Sequence, residues 1–186
     1  MLGVKVAKRL EQVRLCCGPG TGLRCCSMQA INSALYGTDS DELPSFMSYH
    51  LHSYIIIAND KMSYTNRNSQ RWKDLLVRAV DVEHTEQHQL ITHRWTGELL
   101  REFKTEFKTV DKIKRLIDQM LECWDDDEKL LGVASKAYGS PLSVIESELV
   151  NYGLQKTVRG LWNYIVPGLF DPFPVMEDLC RTTLKT

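Results

Sequence analysis

Apolar side chains recur at every third or fourth position along most of this chain, and nowhere do they alternate at every second position over a strand's length. An α-helix turns once in about 3.6 residues, so this spacing gathers apolar residues on one face. Val4, Val6, Ala7, Leu10 and Val13 form such a stripe over 4–15. Trp72, Leu75, Leu76 and Ala79 form another behind Ser69, a residue suited to cap a helix. Leu90, Ile91, Trp95, Leu99 and Phe103 continue the pattern over 85–107, and Val110, Ile113, Leu116, Ile117, Met120 and Leu121 repeat it after Thr109. Leu142, Ile145, Leu149 and Val150 lie between Ser140-Pro141, a helix start, and Gly153, a helix stop. Tyr54-Ile55-Ile56-Ile57 is β-branched, yet Tyr54 and Ile55 align with Met47, Leu51 and Ala58 on one helical face. The spacing predicts an all-α fold: a compact multi-helix bundle of about seven to nine helices in one domain, with a soft division near 108–109.

Punctuation between the stripes is supplied by glycine and proline. Gly18-Pro19-Gly20-Thr21-Gly22 ends the first helix, and a second is predicted over 25–36 with Gly37 in the left-handed stop position. Residues 40–42 form an acidic turn, and Pro44 suits the first turn of a third helix. Residues 59–68 are polar and read as a loop. After Val166-Pro167-Gly168 the chain is irregular through Pro172 and Pro174, before a last short helix ending near Leu184.

Composition disfavours some classes of partner, although a local patch could still bind. With 23 basic residues against 24 acidic ones, there is no charge excess of the kind that tight binding to nucleic acid or an anionic membrane usually requires. Lys5, Lys8, Arg9, Glu11 and Arg14 interrupt any N-terminal signal segment, and the longest strongly apolar run, 54–58, is far short of the roughly 20 residues of a membrane span. A cytoplasmic location is expected, where six cysteines would be reduced thiols.

The candidate for chemistry is Cys26, in Cys25-Cys26-Ser27-Met28-Gln29-Ala30-Ile31-Asn32-Ser33-Ala34-Leu35-Tyr36-Gly37. A cysteine that opens a helix has its thiolate stabilised by the positive helix end. Over 26–37 the segment resembles the nucleophile helix of OTU-type cysteine peptidases, which implies Cys26 as a nucleophile. That family places Asp-Gly-Asn ahead of the cysteine and a general-base histidine late in the domain. Here Leu23-Arg24-Cys25 precedes Cys26, and the last histidine is His93.

A second likeness runs over 25–107. Cys26-Ser27, Gly37, Ser40-Asp41, Pro44 and Asn59-Asp60 resemble a pattern of small helical phage and bacterial proteins that carries no assigned activity. It implies a helical fold and a phage or prophage setting.

Other clusters read as structure. Cys16-Cys17 and Cys25-Cys26 flank the glycine turn, but adjacent cysteines point apart whereas zinc ligands two to four residues apart converge. His84 and His88 share a helix face without a glutamate beside His84, and solvated histidines are the simpler reading; His50 and His52 point to different sides of their helix. No metal or other cofactor is expected. Two surfaces remain for binding: a basic stripe of Arg101, Lys104, Lys108, Lys112 and Arg115, diluted by Glu98, Glu102 and Glu106, and the aromatic residues Trp162, Tyr164, Phe170 and Phe173, which more simply cover the core. Together these features point to a non-enzymatic phage- or prophage-type accessory protein that binds a protein, such as a host defence factor it inhibits. The alternatives are a divergent OTU-like hydrolase using Cys26 and a nucleic-acid-binding module using the basic stripe.

Overall fold

The computed structural model describes residues 2–82, 87–88, 91, 101, 118 and 171–181. The first helix, α1 (Leu2–Gln12), buries Gly3, Val6 and Leu10, with Val13 continuing the same face one turn on, while Val4 is exposed. α1 lies against α2 (Ser27–Tyr36) and α5 (Gln70–Ala79). Its approach to the end of α5 is close at Gly3, where a Cβ would sit 2.8 Å from Asp81 Oδ2 and 3.1 Å from the Val77 carbonyl oxygen.

Helical periodicity gives no sign of the ladder that comes after α1. Arg14–Leu15 (β1) pairs in parallel with Arg24–Cys25 (β2), in the register Arg14 to Arg24 and Leu15 to Cys25. The Arg14 amide donates to the Leu23 carbonyl (2.8 Å) and the Cys16 amide to the Cys25 carbonyl (3.0 Å). Parallel strands usually need a crossover of about a dozen residues or more. Here residues 16–23 suffice, because Gly18 and Gly22 take positive φ values (66° and 65°) and Gly20 passes directly over β2. A Cβ on Gly20 would lie 2.1 Å from the Arg24 carbonyl oxygen, so no other residue fits. The free edge of β1 is covered by one side chain: Asn68 accepts from the Leu15 amide (2.9 Å) and donates to its carbonyl (3.0 Å), as a neighbouring strand would.

α2 ends as the sequence predicts, with Gly37 left-handed at φ 72° and its amide on the Ser33 carbonyl. The third helix, α3 (Tyr49–Lys61), starts later than Pro44 suggests. Pro44 instead makes a turn whose carbonyl receives the Met47 amide, and Ser48 caps α3 by accepting from the Leu51 amide (3.1 Å). Tyr54, Ile55 and Ala58 are helical and buried. The polar stretch 59–68 is only partly a loop. α3 runs through it to Lys61, and Ser63 caps a short α4 (Tyr64–Arg67). Ser69 caps α5, whose buried residues are Trp72, Leu75, Leu76 and Ala79, the predicted set.

Near the C-terminus, residues 172–179 are not irregular. Asp171 caps α6 (Pro172–Leu179), with Pro172 in the first turn, where its missing N–H costs nothing. α6 packs on α3 and α5. Tyr54 donates its hydroxyl to the Pro172 carbonyl (2.9 Å), and Phe173 meets Trp72 edge-on with centroids 6.4 Å apart.

The described part is thus mostly helical, with six helices and one minimal parallel ladder. Gln87, His88, Ile91, Arg101 and Asp118 are helical, and the remaining residues of the helices expected beyond 84 lie outside the described ones. The chain divides into two units, Met1–His88 with Arg159–Thr186, and Gln89–Val158. Nearly all described residues belong to the first.

Candidate functional site around Cys26

Cys26 is the N-cap of α2. Its backbone is extended (φ −74°, ψ 169°), and its sulfur accepts from the Gln29 amide at 3.4 Å. Gln29 completes a capping box by accepting from the Cys26 amide (3.1 Å). The same oxygen takes the Gly20 amide (2.8 Å), and Gln29 Nε2 donates to the Gly20 carbonyl (3.3 Å) and the Asp39 carbonyl (3.0 Å). One amide side chain thereby ties the helix start to the glycine loop and to the segment after Gly37.

The next residue, Ser27, is fully buried. Its hydroxyl donates to Asn59 Oδ1 (2.8 Å) and accepts from Trp72 Nε1 (3.0 Å), while its backbone amide also donates to Asn59 Oδ1 (3.1 Å). Asn59 Nδ2 donates to the Cys16 carbonyl (2.9 Å) and to Asp60 Oδ1 (3.0 Å), and Asp60 Oδ1 receives the Gly18 amide (2.8 Å). A continuous relay therefore runs from Trp72 on α5 through α2 and α3 into the glycine loop.

A third set fixes 39–42, where every carbonyl accepts from a side chain of α2 or α3. Gln29 holds Asp39. Asn32 Nδ2 holds Ser40 (2.8 Å) and Glu42 (2.9 Å), and His52 Nε2 holds Asp41 (2.8 Å). A carbonyl only accepts, so His52 carries its proton on Nε2. Among the described residues, Arg9 Nε and Asn32 Oδ1 are the buried side-chain polar atoms without a partner.

Burial sets the electrostatics. The Cys26 thiol, 5% exposed, is held above its ordinary range by desolvation, with Asp41 and Asp60 adding to the effect. The Gln29 and Met28 amides pull the other way and do not prevail. The helix start, expected to activate the sulfur, is outweighed. Burial likewise pushes Cys25 to about 11. A nucleophilic cysteine needs its thiolate near neutral pH, and burial moves both thiols in the opposite direction.

Cys16 is half-buried and Cys17 exposed. Among the described residues, no three His, Cys, Asp or Glu side chains converge as metal ligands do. None of the described helices is long and apolar enough to cross a membrane. Of the two predicted binding surfaces, Phe173 is buried, with the Arg71 guanidinium 4.4 Å from its ring centroid, and Arg101 is exposed. Lys104, Lys108, Lys112, Arg115, Trp162, Tyr164 and Phe170 lie outside the described residues.

His88 corrects the solvated reading of its face, being 1% exposed; His84 lies outside the described residues. His88 Nε2 meets the Leu179 carbonyl at 3.1 Å and so carries the proton, which leaves Nδ1 to accept from the Ser48 hydroxyl at 2.8 Å. That hydroxyl also caps α3, so the pair joins α3 to α6 where solvent does not reach. No short-range signal marks it, because its partners stand 40 and 91 positions away.

Comparison with family models, with curated proteins and with solved structures finds no match to this chain.

Proposed function

We propose that this chain is a non-enzymatic accessory protein of phage or prophage type that acts by binding a protein, with a host defence factor as the target class. The observation that carries the reading is the state of Cys26. Its sulfur caps a helix and is buried, burial raises the thiol above its ordinary range, and the polar groups around it are engaged in fixing backbone. The residues of the phage-like pattern have the same structural role. Cys26 and Ser27 start α2, Gly37 ends it, the Ser40 and Asp41 carbonyls and Pro44 shape the crossing to α3, and Asn59 and Asp60 bind the glycine loop.

Such a framework holds a surface still, and that surface carries apolar residues: Leu23, Val4, Tyr64 and Tyr36 are all more than half exposed. The basic stripe and the aromatic residues Trp162, Tyr164 and Phe170 are further candidates for contact, whereas Phe173 is spent on the core. The test is affinity capture with cross-linking from a bacterial lysate, followed by binding of the purified candidate. A single saturable partner, bound equally by Cys26→Ala, is the expected result. Failure of any candidate to bind in purified form refutes the reading, and loss of the phenotype in a folded Cys26→Ala protein would favour the hydrolase.

A further inference from the structure

The β1–β2 ladder sets two like charges side by side. Arg14 and Arg24 are register partners, and both are exposed, whereas the next pair, Leu15 and Cys25, is buried. Neighbouring strands lie about 4.8 Å apart, so the two side chains leave the same face of the ladder at nearly that separation. Neither guanidinium makes a hydrogen bond or ion pair with a described residue. Like charges directly opposite one another weaken a strand pair, and this ladder is only two residues long. A third guanidinium stands nearby, since Arg9 Nη2 donates to the Gly22 carbonyl at 3.1 Å. Leu23, 64% exposed, lies between that contact and Arg24.

We propose that Arg14 and Arg24, with Leu23, form a docking site for an acidic segment of a protein partner. This deepens the protein-binding reading and rests on it. Guanidinium groups pair bidentately with carboxylates, and carboxylates brought between the two arginines remove the repulsion that the fold leaves in place. The backbone beneath is fixed by Gln29, Asn59, Asp60 and Asn68, so little ordering is required on binding. An acidic peptide with apolar residues fits better than nucleic acid, because Leu23 offers apolar contact that a phosphodiester backbone does not use.

The experiment uses the full chain and a fluorescein-labelled peptide of alternating Glu and Leu, followed by anisotropy at low and physiological salt. A single-stranded oligonucleotide of equal charge serves as the competitor. The expected result is saturable, salt-sensitive peptide binding, lost at least about tenfold in Arg14→Glu/Arg24→Glu and weakened about threefold in Arg14→Lys/Arg24→Lys. Both positions are exposed, so unchanged circular dichroism and melting verify folding. Absence of peptide binding, an affinity unaltered by charge reversal, or tighter binding of the oligonucleotide each overturns the proposal. If the charge-reversed protein still captures the lysate partner of the wild type, this site is wrong while the protein-binding reading survives; if neither protein binds a partner, the broader reading has failed.

Discussion

Replacing Asn59 with alanine removes four hydrogen bonds at a residue 1% exposed. The Ser27 amide and the Cys16 carbonyl lose their side-chain partner. The Ser27 hydroxyl keeps the Trp72 N–H but has nowhere to send its own proton. A buried polar group left without a partner costs about 1–3 kcal/mol, so the two buried Ser27 donors, amide and hydroxyl, place the loss at about 2–6 kcal/mol, with the part-buried Cys16 carbonyl a smaller addition. That is a large share of the roughly 5–15 kcal/mol by which a domain is stable. Asn59→Leu separates polarity from volume, because it fills the space and leaves the same groups orphaned; it should be no better than alanine. Asn59→Asp keeps the acceptor for Ser27, but it loses the donor to Cys16 and sets a second carboxylate beside Asp60. Urea unfolding followed by far-ultraviolet circular dichroism gives the stabilities, and amide exchange at Ser27 gives the local effect. A loss below about 0.5 kcal/mol for Asn59→Ala, the range of ordinary surface changes, or a gain for Asn59→Leu, would show that the relay is not what holds these elements together.

Cys26→Ser keeps a capping oxygen and should stay within about 1 kcal/mol of the wild type in urea unfolding, whereas Cys26→Ala should lose about 1 kcal/mol. Gly20→Ala must displace the Arg24 carbonyl and should cost about 2–4 kcal/mol, with early amide exchange at Cys16 as the local sign. In Cys180, burial raises the thiol from 9.0 to about 12. The folded state therefore holds this proton more tightly than the unfolded chain, so its contribution is intact below pH 9 and is lost progressively as pH climbs toward 12. Cys180→Ala should show a shallower alkaline decline in melting temperature than the wild type. Phe173→Ala should cost about 3–5 kcal/mol, read from thermal unfolding, because it empties the contact between Trp72 and α6.

The features legible in the sequence are those that a few neighbouring residues decide. Cys26, Gly37 and Ser69 mark helix ends through their own chemistry, and Trp72, Leu75, Leu76 and Ala79 fall on one face because a helix has a fixed pitch. Pro44 misleads because proline suits both a helix start and a turn, and the residue whose side chain caps α3 is Ser48, four positions on. The β1–β2 ladder leaves no trace in periodicity, since two-residue strands have no alternation to display. The candidate site divides in the same way. Cys26 at a helix start is visible, but its burial depends on tertiary packing, and the partners of Ser27 stand 32 and 45 positions away.

The pairing of Tyr54 with Pro172 spans 118 positions. Trp72, 0% exposed in the finished structure, owes part of its cover to Phe173. During synthesis the N-terminal helices therefore emerge long before their lid exists, with an indole still facing water. Closing so long a loop is slow and entropically expensive. Completion of the first unit has to wait for α6, and a ribosome stalled before residue 171 would carry a half-closed intermediate prone to sticking to its neighbours.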